Sequence, residues 1–531
     1  MTTPHADVHP FHGLDVNWLV DVRAETRAEH PFLIWEPFVG ARQVWTYAAF
    51  RRDVLRVAAG LVARGIKPGD RILVHLDNAP ELELLWFACH RVGAVIVTTN
   101  TRSAGPEIAY YTEASGAVAA ITQPELAGLV AEHAKGIRWL AVTEHMADGT
   151  PAHDAKLPER AERFSRLLAG DPATLPKLAA DPWRAGSVQF TSGTTSRPKP
   201  VLWTHANALW GARQSAIHQG LTDADVHHVV LPSFHTNART YSILPSMWAG
   251  GSVVLQPRFS ASRFWDVALR NKTTWHSSVP FCFKALSARP MPSKHHIRMI
   301  GASANNPPFA AFFGVPVLGW WGMTETITQP IVGDCRVPNR PLTTGRPAPG
   351  YGIRILDDDG RPVKSGETGH LQCLGTRGLQ MFQAYMGNDS ATRESFTADG
   401  WFITGDRMTL LEDGNLLFAD RDKDMLKVGG ENVAASEIER VIMPVKGVRE
   451  AAIVAQKHAM LDEVPVAFVI PESDLPASAH AALTAAILAA CKAALADFKQ
   501  PRAIHIVAEM PRSTLEKVNK AELRKGLGVM Q

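Results

Sequence analysis

Apolar residues recur at helical spacing through residues 46–65 (Phe50, Leu55, Ala58, Leu61, Val62), and the run stops at Gly65 and Pro68, which predicts a helix. Residues 71–76 (Arg71-Ile72-Leu73-Val74-His75-Leu76) then form a short apolar run that reads as a buried strand. Residues 80–92 read as a second helix with Leu82, Leu85, Phe87 and Ala88 on its apolar face, and Val95-Ile96-Val97 returns as a strand. Strand, helix, strand at this pitch is the parallel α/β pattern. Residues 116–122 and 139–143 continue it with two more strands, whereas 151–182 shift to charge, alanine and proline and read as a surface excursion.

A second α/β pattern follows. A short strand at 187–190 leads into a loop and then a helical stretch after His205. Strands are expected at 229–231, 252–255, near Ser277, at 299–300 and at 315–318, with helices after Ala238 and near Phe264. From 345 to 411 the texture changes to short strands between glycine turns, as in Ile353-Arg354-Ile355-Leu356 and Gly369-His370-Leu371-Gln372-Cys373, which predicts a small β subdomain. The charge cluster Asp420-Arg421-Asp422-Lys423-Asp424 reads as a linker. A small α/β domain follows, with helices at 437–442 and 481–495 and strands at 450–454, 466–470 and 504–507. The expected fold is therefore α/β. A large N-terminal domain, residues 1–419, holds two α/β subdomains and a small β subdomain, and a small C-terminal domain spans 420–531.

Composition agrees with this picture. A chain of 531 residues exceeds one compact core, and 46% hydrophobic with 20% charged residues is ordinary for a soluble globular protein. A net charge of +3 gives no electrostatic footprint for nucleic acid or a membrane surface. Charges at Asp7, Asp15, Asp21, Arg23 and Glu25 leave no room for a signal peptide, and the alanine-rich run 481–490 is too short to span a bilayer. A cytoplasmic location is expected. Cys89, Cys282, Cys335, Cys373 and Cys491 lack CxxC spacing and read as reduced thiols.

The candidate chemistry starts at Phe190-Thr191-Ser192-Gly193-Thr194-Thr195-Ser196-Arg197-Pro198-Lys199-Pro200. Crowded hydroxyls, a glycine and two prolines exclude a helix interior or a central strand, so this is a loop. Hydroxyl donors, backbone N–H groups and two cations suit an anion such as the phosphates of a nucleotide. It is not a Walker A loop, because Pro198 rather than glycine precedes Lys199 and no Ser or Thr follows it. Taken alone the segment also fits a solvated Ser/Thr/Pro connector.

Two further segments, Trp321-Gly322-Met323-Thr324-Glu325 and Thr404-Gly405-Asp406, follow at an order and spacing that resemble the adenylate-forming (AMP-binding) superfamily of acyl-CoA synthetases, adenylation domains and luciferases. The resemblance runs from about Thr46 to about Lys517, is of the acyl-CoA synthetase type, and carries a general likeness to the carnitine and crotonobetaine ligase branch. It implies ATP, Mg²⁺ and coenzyme A as cofactors and co-substrates, a small-molecule carboxylic acid as substrate, and a mobile C-terminal domain.

The implied reaction explains the residues. A free carboxylate is a poor electrophile; attack on the α-phosphate of ATP converts it to an acyl-AMP anhydride, from which a thiol displaces AMP. Because a carboxylate must meet a polyanion, the site has to supply cations and donors. By the resemblance, Thr191, Ser192, Gly193, Thr194, Thr195 and Lys199 hold the triphosphate; Glu325 carries Mg²⁺ and Thr324 donates to the α-phosphate; Trp321, Gly322 and Met323 complete that motif. Asp406, placed by its apolar lead at the end of a buried strand, accepts the ribose hydroxyls, and Arg421 is the second ribose contact. Gly301-Ala302-Ser303 resembles the adenine-facing turn. Lys423 takes the hinge position, Gly429 and Gly430 line the pantetheine channel, and Lys517 is the lysine of adenylation. Ser196, Pro200 and Glu516 stand where the family more often has glycine, which implies a stiffer loop and leaves Glu516 either to make the surroundings of Lys517 less positive or to point to solvent.

His235 matches a position at the mouth of the carboxylate site, with a structural histidine as the alternative. No aspartate pairs a substrate ammonium there, which argues against an amino acid. Trp203, Trp210, Trp320, Trp321 and Val279 are candidate pocket walls, suited to an aromatic acid or, by cation–π attraction, a quaternary ammonium. The function expected is an AMP-forming carboxylate–CoA ligase. A stand-alone adenylation enzyme loading a carrier-protein phosphopantetheine uses the same residues, and a non-catalytic nucleotide or acyl sensor and a luciferase-like oxidation are the readings from other classes. The acid and the oligomeric state are not legible; a symmetric homodimer is the commonest assembly for soluble enzymes in general.

Overall fold

The computed structural model describes residues 8–191, 198–421, 424–428, 431–459, 461–495, 497–512 and 517–528. They form two compact units, one from residues up to 191, 199–353 and 373–402, the other chiefly from 354–372 and 403–531. The expectations for Ser192, Gly193, Thr194, Thr195, Ser196, Glu516, Lys423, Gly429 and Gly430 lie outside the described residues, and Arg421 is described by its backbone alone.

In the first unit, the described residues form one sheet in the order Ala384–Tyr385, Pro200–Thr204, Ala185–Phe190, Val95–Thr98, Arg71–His75, Ala119–Thr122, Leu140–Val142 and Ala161–Arg163. From Ala185–Phe190 outward to Ala161–Arg163 every pairing is parallel. Ile72, Leu73, Ile96, Val97, Ala120 and Ile121 are wholly buried, so these strands read as unbroken apolar runs rather than as an alternation. The helix Tyr47–Ala63 starts where Thr46 accepts the Ala49 N–H, and Pro80–Val92 stops at Gly93 in the left-handed conformation.

Two expectations need correction here. The excursion at 151–182 is not all surface, because Ala161–Arg163 supplies the edge strand and Leu167 is fully buried. A three-residue, half-exposed strand leaves no apolar run to read. The loop after Phe190 does not join a strand to a helix: Pro200–Thr204 turns back antiparallel to Ala185–Phe190, and the helix His205–His218 begins only afterwards. Proline is tolerated because it opens the strand.

The second sheet of this unit runs Arg346–Pro347, Ile331–Val332, Val317–Trp321, Met299–Ala302, Trp275–Ser277, Val226–Val229, Ser252–Leu255, Pro31–Trp35 and Gln43–Thr46. Two ladders are offset from the expected 229–231 and 315–318, since apolar residues continue into the turns beyond the hydrogen-bonded register.

In the second unit, Gly352–Leu356, Thr368–Leu374, Phe402–Leu410 and Leu416–Arg421 form a four-stranded sheet. Asp406 pairs with Arg421 and Arg407 with Asp420. Asp406 therefore lies within its strand, not at the end, and Asp420 and Arg421 close a strand instead of opening a linker. Their charges misled because strand ends are as polar as linkers. The C-terminal sheet packs Leu426, Val433, Ile453 and Val469 against Ile438 and Ile442 of the helix Ala435–Ile442 and Ile487 of His480–Ala494. Ala477–Ala494 is apolar and long enough to cross a membrane by length and composition, but Leu483, Ile487 and Cys491 face this core.

Candidate active site

The strand Val317–Trp321 delivers the chain into the tight turn Thr324–Thr326. Four successive carbonyls of this turn each accept a hydrogen bond from a different neighbour. Trp203 Nε1 donates to the Thr324 carbonyl (2.9 Å), the Phe382 N–H to that of Glu325 (2.8 Å), the Tyr351 hydroxyl to that of Thr326 (2.8 Å), and Thr240 Oγ1 to that of Ile327 (2.6 Å). Within the turn Thr326 Oγ1 accepts the Met323 N–H (3.0 Å). Ile327 has φ +67 and ψ −53, a positive-φ conformation that a β-branched residue adopts at a cost of about 1–3 kcal/mol. Hydrogen bonds worth about 1 kcal/mol each are of the size needed to hold it. Gly322 enters the same turn with Tyr241 Oη only 2.4 Å and the Thr328 carbonyl 2.5 Å from where a Cβ would stand, so no larger residue fits.

Glu325 itself is buried, and its Oε1 accepts from the Tyr385 hydroxyl at 2.9 Å. Burial and then the adjoining carboxylate push the Tyr385 phenol well above its ordinary range, which keeps it a donor. Lys199 Nζ sits 4.7 Å from the centroid of the same ring. Lys199 also closes the base of the hydroxyl-rich loop: its N–H donates to Thr191 Oγ1 (3.2 Å) and its carbonyl accepts from the Thr191 N–H (3.0 Å). Thr236 Oγ1 lies 3.2 Å from Thr324 Oγ1 and donates to Gln189 Oε1 (2.9 Å) at the end of the strand that enters the loop. Three other segments of the first unit thus reach Thr324 and Glu325: Pro200–Thr204 through Trp203, residues 382–385 through Phe382 and Tyr385, and the short helix Thr236–Ala238 through Thr236.

His235 caps the short helix Thr236–Ala238, its Nδ1 accepting the Asn237 N–H at 3.4 Å. A neutral ring accepting at Nδ1 carries its proton on Nε2. A π-helical turn, Arg239–Ile243, follows. Gly301 and Ala302 belong to the strand Met299–Ala302, and of the triplet expected to form a turn only Ser303 lies in a bend. Gly301 lacks a side chain because Trp320 Cη2 would lie 1.7 Å from its Cβ. All three residues still stand at the carboxyl end of a parallel strand, where ligands approach such sheets. Trp203 and Trp210 are not open pocket walls: both are buried, with Trp203 bonded to Thr324 and Trp210 Nε1 donating to the Tyr351 hydroxyl at 2.9 Å.

In the second unit Asp406 is buried after Gly405, whose φ of +71 turns the strand. Thr404 Oγ1 donates to the Leu371 carbonyl (2.7 Å) and accepts the Asp406 N–H (3.1 Å), fixing that backbone. Lys517 is exposed, next to the bridge between Arg512 and Val518.

Among the described residues no three of His, Cys, Asp and Glu cluster so as to hold a metal ion. Glu325 offers one buried hard-oxygen ligand, which fits Mg²⁺ only where phosphate and water supply the other ligands. Sequence reasoning missed Gln189, Thr236, Thr240, Tyr351, Phe382 and Tyr385. Nothing local marks them, and Tyr385 sits in a two-residue strand.

The family model described as AMP-binding enzyme matches residues 20–386, and the AMP-binding enzyme C-terminal domain matches 437–517. The chain belongs to this adenylate-forming family. It is 32% identical over 525 residues to a crotonobetaine/carnitine–CoA ligase of Salmonella paratyphi C, covering 96% of this chain and 99% of that one. The structure resembles a benzoate CoA ligase from Burkholderia xenovorans LB400 (TM-score 0.83, 26% identity, 96% of this chain and 100% of that one). It also resembles the o-succinylbenzoate coenzyme A synthetase of Bacillus subtilis in complex with ATP and magnesium ion (TM-score 0.80, 25% identity, 95% and 98%). The expected type, an AMP-forming acyl-CoA synthetase, agrees with these relatives, and none of them favours the carrier-protein alternative.

Proposed function

We propose that this enzyme joins a small carboxylic acid to coenzyme A at the expense of ATP. A carboxylate oxygen attacks the α-phosphorus, the bond to the β-phosphate breaks and pyrophosphate leaves. The CoA thiol, losing its proton, then attacks the acyl carbon and expels AMP. The observation that carries this reading is Glu325: a buried carboxylate on a turn held carbonyl by carbonyl, bonded to a tyrosine whose ring also meets the lysine that closes a hydroxyl-rich loop. A carboxylate fixed in this way would hold Mg²⁺, which together with the Lys199 ammonium would supply the positive charge that a reaction between two anions requires.

In this proposal Thr191, Ser192, Gly193, Thr194, Thr195 and Lys199 bind the phosphates and Thr324 the α-phosphate. Gly301, Ala302 and Ser303 face the adenine, Trp321, Gly322 and Met323 complete the nucleotide motif of Thr324 and Glu325, and Asp406 and Arg421 hold the ribose. His235, with its proton on Nε2, meets the acid; Lys517 serves adenylation; Gly429 and Gly430 serve the thiol. Mg²⁺, held by Glu325, would neutralise phosphate charge. The functional division between 1–419 and 420–531, a cytoplasmic location and a homodimer belong to the same proposal. ATP–pyrophosphate exchange over a panel of acids, followed by thioester formation with CoA, tests it. Exchange with no CoA thioester, restored by a carrier protein, would transfer the assignment to the carrier-loading alternative; no exchange with any acid would refute both.

A further inference from the structure

We infer that Tyr385 is a positioning residue that sets Glu325 and Lys199 relative to each other, its hydroxyl fixing the carboxylate and its ring face holding the ammonium. The inference rests on the reading of Glu325 as the Mg²⁺ ligand. Tyr385 is buried in the strand Ala384–Tyr385 and pairs with Val201, two residues beyond Lys199, while its N–H donates to Thr392 Oγ1 at 3.0 Å. Its ring packs on Phe382 at 4.8 Å, and the Phe382 N–H holds the Glu325 carbonyl. Residue 325 is therefore gripped at backbone and side chain by one four-residue segment. With Oε1 tethered to a phenol, the carboxylate has a fixed orientation when a cation arrives, and partners of this kind typically alter metal affinity about 10–100-fold. One tyrosine thus holds both groups, the Lys199 ammonium against its ring and the Glu325 carboxylate at its hydroxyl.

The two roles separate by substitution. Tyr385→Phe keeps the ring for Lys199 and removes the hydroxyl, whereas Tyr385→Leu removes both. With a non-hydrolysable ATP analogue and Mn²⁺ as the spectroscopic probe, Tyr385→Phe should weaken Mn²⁺ binding about 10-fold, measured by electron paramagnetic resonance, and leave metal-free binding of the analogue unchanged. Tyr385→Leu should weaken both. Wild-type Mn²⁺ affinity in a Tyr385→Phe protein with an unaltered unfolding transition overturns the inference. A measurement that needs no variant is ¹⁹F resonance of protein carrying 3-fluorotyrosine at its 6 tyrosines: one signal should shift when Mg²⁺ joins the bound analogue, and none moving also overturns it. Absence of pyrophosphate exchange in the wild-type protein would instead count against the ligase reading, since the Mn²⁺ comparison needs no turnover.

Discussion

Arg239 grips Glu83 through two hydrogen bonds, of 2.5 Å and 3.3 Å, and each side chain is only 1% exposed. The guanidinium also donates to the Ser233 carbonyl at 3.2 Å and lies 4.9 Å from the centroid of Trp86. Arg239 is the first residue of the π-helical turn after His235, so this pair anchors the segment that carries His235 and Thr236 to the helix Pro80–Val92.

Removing one partner leaves a buried charge without its counter-ion, which typically costs about 3–5 kcal/mol, whereas replacing both by apolar groups costs much less. Glu83→Leu should therefore lower stability in urea by that amount, and Glu83→Leu with Arg239→Met should recover most of it. A single variant as stable as wild type would show that the pair does not anchor the segment.

What the sequence could show follows a physical division. Pro80–Val92 was legible because its apolar period, its leading proline and its terminal Gly93 all agree, and Thr324, Glu325 and Lys199 stood out as candidates because their neighbours form dense motifs. Trp203, Thr240, Tyr351, Phe382 and Tyr385 were not. Each reaches the same turn as a single group from a distant part of the chain, and no local period records a contact across 25 to 121 residues. Trp203 illustrates the difficulty: composition made it a pocket wall, while its indole N–H is spent on a backbone carbonyl.

The strained Ile327 makes a second prediction. Thr240→Val keeps the shape of the side chain and removes the donor that holds the Ile327 carbonyl, leaving that carbonyl short of its side-chain partner. Stability should fall by about 1–3 kcal/mol. The pyrophosphate-exchange rate should fall with it, while the unfolding transition stays cooperative. Exchange at the wild-type rate would show that the turn does not depend on this contact.

Buried histidines set an acid limit. Burial holds His205, His227 and His228 down at about 3 and His75, His218 and His276 at about 4, against 6.5 in an unfolded chain. Between these values the unfolded chain binds more protons than the folded one, so stability is full above pH 6.5 and is lost as pH falls toward 4. Each group contributes a slope of up to about 1.4 kcal/mol per pH unit, a large share of a typical net stability of about 5–15 kcal/mol once several act together. The Tm should drop steeply from pH 6.5 to 5. Neither ring nitrogen of His227 has a hydrogen-bond partner among the described residues, so His227→Phe should raise the Tm more at pH 5.5 than at pH 7.5. A Tm flat from pH 7 to 5 would contradict the assignment of these rings as neutral.

Lys517 gives the sharpest separation of chemistry from folding. It is exposed, so Lys517→Ala should leave the unfolding transition where it is, and any loss of activity then reports on the reaction. If the ammonium stabilises charge only as the carboxylate attacks phosphorus, its removal should cost about 10²–10³ in acyl-AMP formation, the size found when one preorganised donor is deleted. Thioester formation from supplied acyl-AMP breaks a different bond and should proceed at close to the wild-type rate. Equal losses in the two half-reactions would mean that Lys517 serves both steps or neither, and the proposed division of labour would have to be given up.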